Sequence, residues 1–223
     1  MTKQLFVQAM AKFFAGVLLV GLLVFLPAGT LRFSQGWLLM GVLFVPMFLA
    51  GLYLMVKDPD RLRRRLDARE KEMTQKRVLL LSGCMFLASF VLAGSSFRFD
   101  WLRFPPWVSG LGAALFLLGY GLYAVVLKQN AYLSRTVKVE RGQTLVDTGL
   151  YGVVRHPMYA ATLLLFLSMP LILGSLPAFL AMLFYPFIIA GRIRNEEEVL
   201  MRELPGYVEY RKKVRWRLIP GVW

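Results

Sequence analysis

From Gly36 to Val56 this chain carries no charged side chain. A bilayer core needs roughly 20 residues of apolar helix to cross it, and this run supplies them without a break. Its stretch Gly36–Ala50 has no polar position at helical spacing, which an amphipathic helix on a soluble protein would need. The same texture recurs along the chain. Phe13–Leu26, Gly36–Val56, Val78–Gly94, Trp107–Leu127, Tyr159–Leu173 and Leu176–Ile189 read as six hydrophobic helical segments. With 57% hydrophobic residues and a mean hydropathy of +0.56 over 223 residues, a soluble globule could not bury so much apolar surface. Porin-like barrels need alternating strands, and these are absent. The expected fold is an all-α polytopic integral membrane protein. Its last two segments, parted by Gly174-Ser175, form a short hairpin, and cytoplasmic helices follow. Lys3 and Lys12 precede the first segment as they would a secretory signal, but the hydrophobic runs downstream and the lack of a small-residue cleavage site favour a retained helix.

Charge fixes the orientation. The loop after the second segment holds Arg61, Arg63, Arg64, Arg65, Arg69, Lys71, Lys76 and Arg77. The loop before the fifth holds Lys128, Arg135, Lys138, Arg141 and Arg155, and the tail is equally basic. The opposite loops have only Arg32, Arg98 and Arg103. The positive-inside rule places both termini in the cytoplasm, in what reads as a bacterial inner membrane. The net charge of +14 then faces anionic lipid headgroups and not nucleic acid. Cys84, alone inside an apolar helix, excludes an intrachain disulfide, and no metal-ligand cluster stands out.

Within this frame the chain divides into residues 1–129, membrane helices with a basic loop, and residues 130–223, a core with a loop, a hairpin and a C-terminal cap, together one membrane-embedded unit. Asp58-Pro59-Asp60 marks a helix start, leading into an interfacial or solvated basic stretch as far as Lys76. The loop Asn130–Gly149 is longer than a helix connection requires and reads as an ordered, partly extended flap. The C-terminal stretch, rich in Tyr207, Tyr210, Trp216 and Leu218, is expected to fold back against the core.

Chemistry concentrates in two clusters. In Arg155-His156-Pro157-Met158-Tyr159 the residue before proline is biased away from helix, and Pro157 can open the next helix because it needs no amide partner there. His156 is thereby held at a helix mouth where amides are unpaired, with Tyr159 in the first turn and Arg155 able to fork onto a carboxylate. The second cluster is Arg192-Ile193-Arg194-Asn195-Glu196-Glu197-Glu198. Arg192 and Glu196, like Arg194 and Glu198, are four apart and suit ion pairs on one helix face, whereas Glu197 shares a face with Ile193. Closing on one another, the clusters would hold an amphoteric ligand at the cytoplasmic mouth.

The ordered series Gly149-x-Tyr151-x-x-Val154-Arg155-His156-Pro157-x-Tyr159, a hydrophobic hairpin, Ile193-x-x-Glu196-Glu197-x-x-Leu200, Gly206-Tyr207-x-x-Tyr210 and Ile219-Pro220 resembles the isoprenylcysteine carboxyl methyltransferase family, whose wider relatives are the phospholipid N-methyltransferases. The resemblance covers about 130–223. Leu150 and Gly152 depart from it, standing where family members often place proline and a larger residue.

The resemblance implies a membrane-embedded enzyme that binds S-adenosylmethionine from the cytoplasm without a Rossmann domain, and the chain has no Gly-x-Gly-x-x-Gly fingerprint. It implies Tyr151, His156, Pro157, Tyr159, Glu196 and Glu197 around the cofactor. Arg155 or Arg192 would neutralise the cofactor carboxylate or orient the acceptor, and Glu196 would take a proton if the acceptor were an amine. Glu197→Ala and His156→Ala are then expected to lose cofactor affinity and remain folded. The acceptor is lipophilic and enters from the membrane. A prenylcysteine-like carboxylate ranks first, ahead of a phospholipid amine or a small lipophilic thiol or acid. The rival readings are an NADPH-dependent sterol or isoprenoid reductase and a non-enzymatic lipid-binding protein.

Overall fold

The computed structural model describes residues 3–66, 73–133, 139 and 142–223. They form an all-α protein. Helix α1 (Lys3–Ala28) and helix α2 (Ser34–Lys57) form an antiparallel pair, followed by the short α3 (Pro59–Leu66). Two more long helices follow, α4 (Met73–Phe99) and α5 (Trp107–Gln129). After a 3-10 turn at Gly149–Gly152 come α6 (Pro157–Ile172), α7 (Leu176–Met182), α8 (Tyr185–Glu203) and α9 (Tyr207–Lys213). Among the described residues five stretches are long and apolar enough to cross a membrane: Gln4–Ala28, Ser34–Lys57, Arg77–Phe99, Trp107–Gln129 and Leu176–Glu203.

The outward faces of these helices are apolar. Leu18 and Leu22 of α1, Leu49 and Tyr53 of α2, Leu80 of α4, Leu118 of α5 and Phe187 of α8 are all exposed. A bilayer's hydrocarbon would cover such surfaces, while the helices satisfy their own backbones. Inside, Val24, Phe25, Phe33, Leu39, Phe90, Phe116, Leu165 and Ile172 make one buried cluster joining α1, α2, α4, α5 and α6.

The expected hairpin takes an unequal form. Its first arm, α6, is only 16 residues long. The second continues past Ile189, because α7 and α8 together run from Leu176 to Glu203 with a brief turn at Leu183-Phe184. Arg192 to Glu198 therefore lie within a helix and not beyond its end. Ser175 caps α7 by accepting from the Ala178 amide. The turn is clasped by the α4–α5 connection, since Phe104 N donates to Gly174 O and Leu176 N to Leu102 O.

Close backbone approach explains the glycines of α5. A Cβ on Gly112 would lie 2.8 Å from Ile172 N and 2.9 Å from Leu171 Cβ, and one on Gly119 would press on Leu165. These two pack α5 onto α6, as small residues do between membrane helices. Gly110 and Gly121 face nothing within 4 Å. Gly112→Ala is expected to destabilise the fold by about 1–3 kcal/mol, the usual cost of overpacking. Gly110→Ala should be neutral or slightly stabilising, as alanine is the better helix former. Thermal unfolding of the two variants in detergent separates these outcomes.

Asp58 starts α3 as the sequence suggests, with its carboxylate accepting from Arg61 N at 3.0 Å. Leu62 of α3 is buried against Leu5, Ala9 and Met55, so the helix is fixed to α1 and α2. The rest of the basic stretch, from 67 to 72, and the flap residues 134–138, 140 and 141 lie outside the described residues.

Candidate functional site

The site forms where the 3-10 turn, the start of α6, the middle of α8 and α9 converge. His156 has the non-helical backbone (φ −127°, ψ 60°) that a following proline favours, and Pro157 begins α6. Just before, Gly149 adopts φ +61° beneath the Gln129 side chain, whose amide atoms would lie 2.5–2.9 Å from any Cβ there. Only glycine fits both demands. Gln129 Oε1 then accepts from Leu150 N at 3.0 Å, tying the turn to the end of α5.

A cavity opens at this junction. Its walls include Asn130, Gln143, Leu145, Tyr151, Arg155, His156, Tyr159, Arg192, Glu196, Leu200, Leu204, Tyr207 and Tyr210. Tyr151, His156, Tyr159, Arg155, Arg192 and Glu196 are thus brought together around one space. Glu197 and Pro157 stand behind that wall. The i, i+4 relation of Arg192 and Glu196 takes a particular form, because the Tyr159 hydroxyl stands between them. It accepts from Arg192 Nε at 2.9 Å and donates to Glu196 Oε2. Glu198 is exposed and away from the cavity.

Glu197 is 2% exposed, and its carboxylate gathers three partners. Oε1 accepts from Arg155 Nε at 2.6 Å and lies 3.3 Å from His156 Nε2, while Oε2 accepts from Arg217 Nε at 2.9 Å. Arg155, itself 5% exposed, also donates from Nη1 to the carbonyls of Val214 and Arg215, both at 2.7 Å. The C-terminal stretch does fold back: Arg155 N donates to Trp216 O and His156 N to Arg217 O. Arg155 and Glu197 thus weld the first cluster to the tail, and Arg192 with Glu196 faces the cavity.

Tyrosines complete the walls. Tyr210 donates to Tyr151 O at 2.7 Å, and Asn130 Nδ2 donates to the Tyr151 hydroxyl at 3.1 Å. Burial pushes the Tyr207 and Tyr210 phenols well above their ordinary range, and the nearby Glu197 charge raises both further. Both hydroxyls therefore remain neutral donors across physiological pH. Tyr207 is distinctive on this wall, since its buried hydroxyl meets no hydrogen-bond partner among the described residues. An unsatisfied buried hydroxyl is costly, and on a cavity wall it suits a bound group.

Arg217, Asn130 and the Tyr207 hydroxyl were not legible as site groups. The first two join the site over 20 and 21 residues of chain, with no local pattern to mark them. Tyr207 belongs to a quoted motif, but spacing alone does not tell an orphaned hydroxyl from a packed ring.

Residues 107–206 match the phospholipid methyltransferase family. The structure of a eukaryotic intramembrane Ras methyltransferase, isoprenylcysteine carboxyl methyltransferase, superposes with a TM-score of 0.59. The match covers 96% of this chain and 77% of that one at 19% identity. The two proteins share a fold. Among curated proteins, a Delta(14)-sterol reductase of Methylotuvimicrobium alcaliphilum is 24% identical over 134 residues, covering 53% of this chain and 31% of the reductase. The mouse Delta(14)-sterol reductase TM7SF2 is 32% identical over 91 residues, 40% of this chain and 22% of that protein. The cobalt-zinc-cadmium resistance protein CzcN of Cupriavidus metallidurans is 32% identical over 135 residues, 57% of each chain. The chain thus spans less than two thirds of the length of each of these curated relatives.

Proposed function

We propose that this protein transfers a methyl group from S-adenosylmethionine to a lipophilic acceptor at the membrane surface, with a prenylcysteine-like carboxylate the first-ranked acceptor. The observation that carries the reading is the array of Arg192, Tyr159 and Glu196 on one cavity wall, in a chain that shares its fold with an intramembrane methyltransferase. The cavity's donors fit this cofactor. Glu196 suits its cationic groups and a guanidinium its carboxylate. The rings of Tyr151, Tyr159, Tyr207 and Tyr210 offer faces to a cation, and Leu145, Leu200 and Leu204 give apolar walls for a flat base. The Tyr207 hydroxyl, without a hydrogen-bond partner among the described residues, offers it a further donor.

When bound, S-adenosylmethionine supplies an electrophilic methyl on a sulfonium sulfur. The protein's part is to align and to exclude water. A carboxylate acceptor is already ionised at neutral pH and needs no base. Three guanidinium groups, Arg155, Arg192 and Arg217, stand in the junction against two carboxylates, Glu196 and Glu197. Arg155 and Arg217 are tied to Glu197, whereas Arg192 is oriented on the cavity wall by the Tyr159 hydroxyl, and we assign it to an anionic acceptor beside the membrane. An amine acceptor would instead use Glu196 to receive its proton.

The reductase relatives favour a second reading, in which the same cavity takes a nicotinamide cofactor. Its phosphates would call for several cations. Among the described residues the cavity wall offers Arg155 and Arg192, and Arg155 is already held by Glu197 and two carbonyls. Calorimetric titration of the purified protein with S-adenosylmethionine and with NADPH decides between them. Binding of the first alone is expected; binding of NADPH alone overturns the methyltransferase reading. Methyl-labelled cofactor with a farnesylated cysteine analogue then tests the acceptor. Base-labile label indicates the ester, whereas base-stable label in lipid amines moves the acceptor to phospholipid.

The cofactor reading also predicts a selective effect at Tyr207. Tyr207→Phe removes the orphaned hydroxyl and keeps the ring, so thermal stability should hold or rise slightly. Affinity for S-adenosylmethionine should fall about tenfold, the worth of one good hydrogen bond to a charged or polar ligand. Unchanged calorimetric affinity would place that hydroxyl outside the ligand's reach.

A further inference from the structure

We propose that Arg217 is a positioning residue for His156, acting through the carboxylate of Glu197 and through its own backbone carbonyl. The inference rests on the proposed cofactor site and adds to it a residue from the tail. Arg217 Nε donates to Glu197 Oε2 at 2.9 Å, and the other oxygen of the same carboxylate lies 3.3 Å from His156 Nε2. An ionised carboxylate can only accept, so the imidazole is fixed with its hydrogen on Nε2. Nδ1 is then turned toward Glu196, 3.9 Å away on the cavity wall. At the same time His156 N donates to Arg217 O at 2.8 Å. One residue of the tail thus holds both the backbone and, at one remove, the ring of the histidine.

The arginine is itself held. Its guanidinium lies over the Trp223 ring at 5.1 Å, and the amides of Arg217, Leu218 and Ile219 all donate to Trp223 O. The carboxylate needs this partner. With Arg217 removed, Oε2 of a buried Glu197 is unpaired, and the carboxylate can turn toward Arg155 and release the imidazole. Groups one shell behind a ligand-binding histidine commonly set its tautomer and orientation in this way.

His156 is the single histidine of the chain, so its ring can be observed directly. The full chain, purified without a histidine tag and labelled with nitrogen-15 in histidine, gives imidazole signals from this residue alone. In the unaltered protein they should report one fixed tautomer with hydrogen on Nε2. Arg217→Ala should move both nitrogen signals toward the values of an exchanging imidazole, and affinity for S-adenosylmethionine should drop about tenfold, the lower end of such effects. Arg217→Lys, which keeps the charge but not the planar donor over Trp223, should fall between. Imidazole signals unchanged in Arg217→Ala overturn the proposal, whatever happens to affinity. Should that variant fail to accumulate, the lysine variant decides by the same signals. An unaltered protein that binds no S-adenosylmethionine would sink the cofactor reading alone, because the imidazole signals do not depend on it.

Discussion

Glu197→Ala is expected to cost the protein about 3–5 kcal/mol of stability, the usual effect of removing one partner from a buried ion pair. Arg155 and Arg217 both donate to this carboxylate, and His156 lies against it. Truncation takes the carboxylate from the 5%-exposed Arg155 and leaves it, among the described residues, the Val214 and Arg215 carbonyls as side-chain partners. The side-chain ties of α8 to the Arg155–His156 segment and to Arg217 of the tail would be lost, loosening the wall of the cavity. Position in the motif alone suggests a folded variant with weakened cofactor binding; the geometry points to lost folding first. Glu197→Gln keeps shape and one acceptor oxygen, and should sit between the two. Thermal unfolding in detergent, read beside the yield of monodisperse protein, checks the order. An alanine variant as stable as the unaltered chain would mean that this carboxylate is not the weld the distances describe.

How much of this could be read from sequence depends on the distance over which each feature is specified. The second and fourth apolar segments, Gly36–Val56 and Trp107–Leu127, became Ser34–Lys57 and Trp107–Gln129, because helix in an apolar run is a local property. The backbone of His156 was equally local, set by the proline after it. The face shared by Ile193 and Glu197 followed from helical period, and both residues are buried. The third segment ran longer at both ends, to Met73 and Phe99, since charged or polar termini of a membrane helix do not register in an apolar count. The last arm was underestimated for the same reason: Arg192–Glu198 interrupts the hydropathy, whereas α8 continues through it. What spacing could not divide was the labour among the charges. Glu196 and Glu197 are neighbours of one type, yet a 100° step around the helix sends one to the cavity and the other to the weld. Which is which depends on where α6 and the tail pack against α8, and no pattern within Arg192–Glu198 carries that.

The same packing makes Arg192 the residue with the largest expected effect on turnover. It is 8% exposed on a stretch long and apolar enough to cross a membrane, and a charge in such a stretch is expensive and marks a functional group more often than a structural one. Tyr159 holds it by accepting from Nε at 2.9 Å, which orients the guanidinium beside the cavity. If it guides an anionic acceptor, Arg192→Ala should lower turnover on that acceptor by about a hundredfold, the cost of misplacing a reacting oxygen by about an ångström. Affinity for S-adenosylmethionine should change far less, since Glu196, the tyrosine rings and the Tyr207 hydroxyl all remain on the wall. Arg192→Lys, with the charge kept and the planar fork lost, should recover part of the rate. The split is measurable by calorimetry on the cofactor beside initial rates on a farnesylated cysteine analogue. A variant that loses cofactor binding and turnover in equal measure would move Arg192 to the cofactor's own carboxylate. Full turnover with alanine at this position would give the acceptor to another cation.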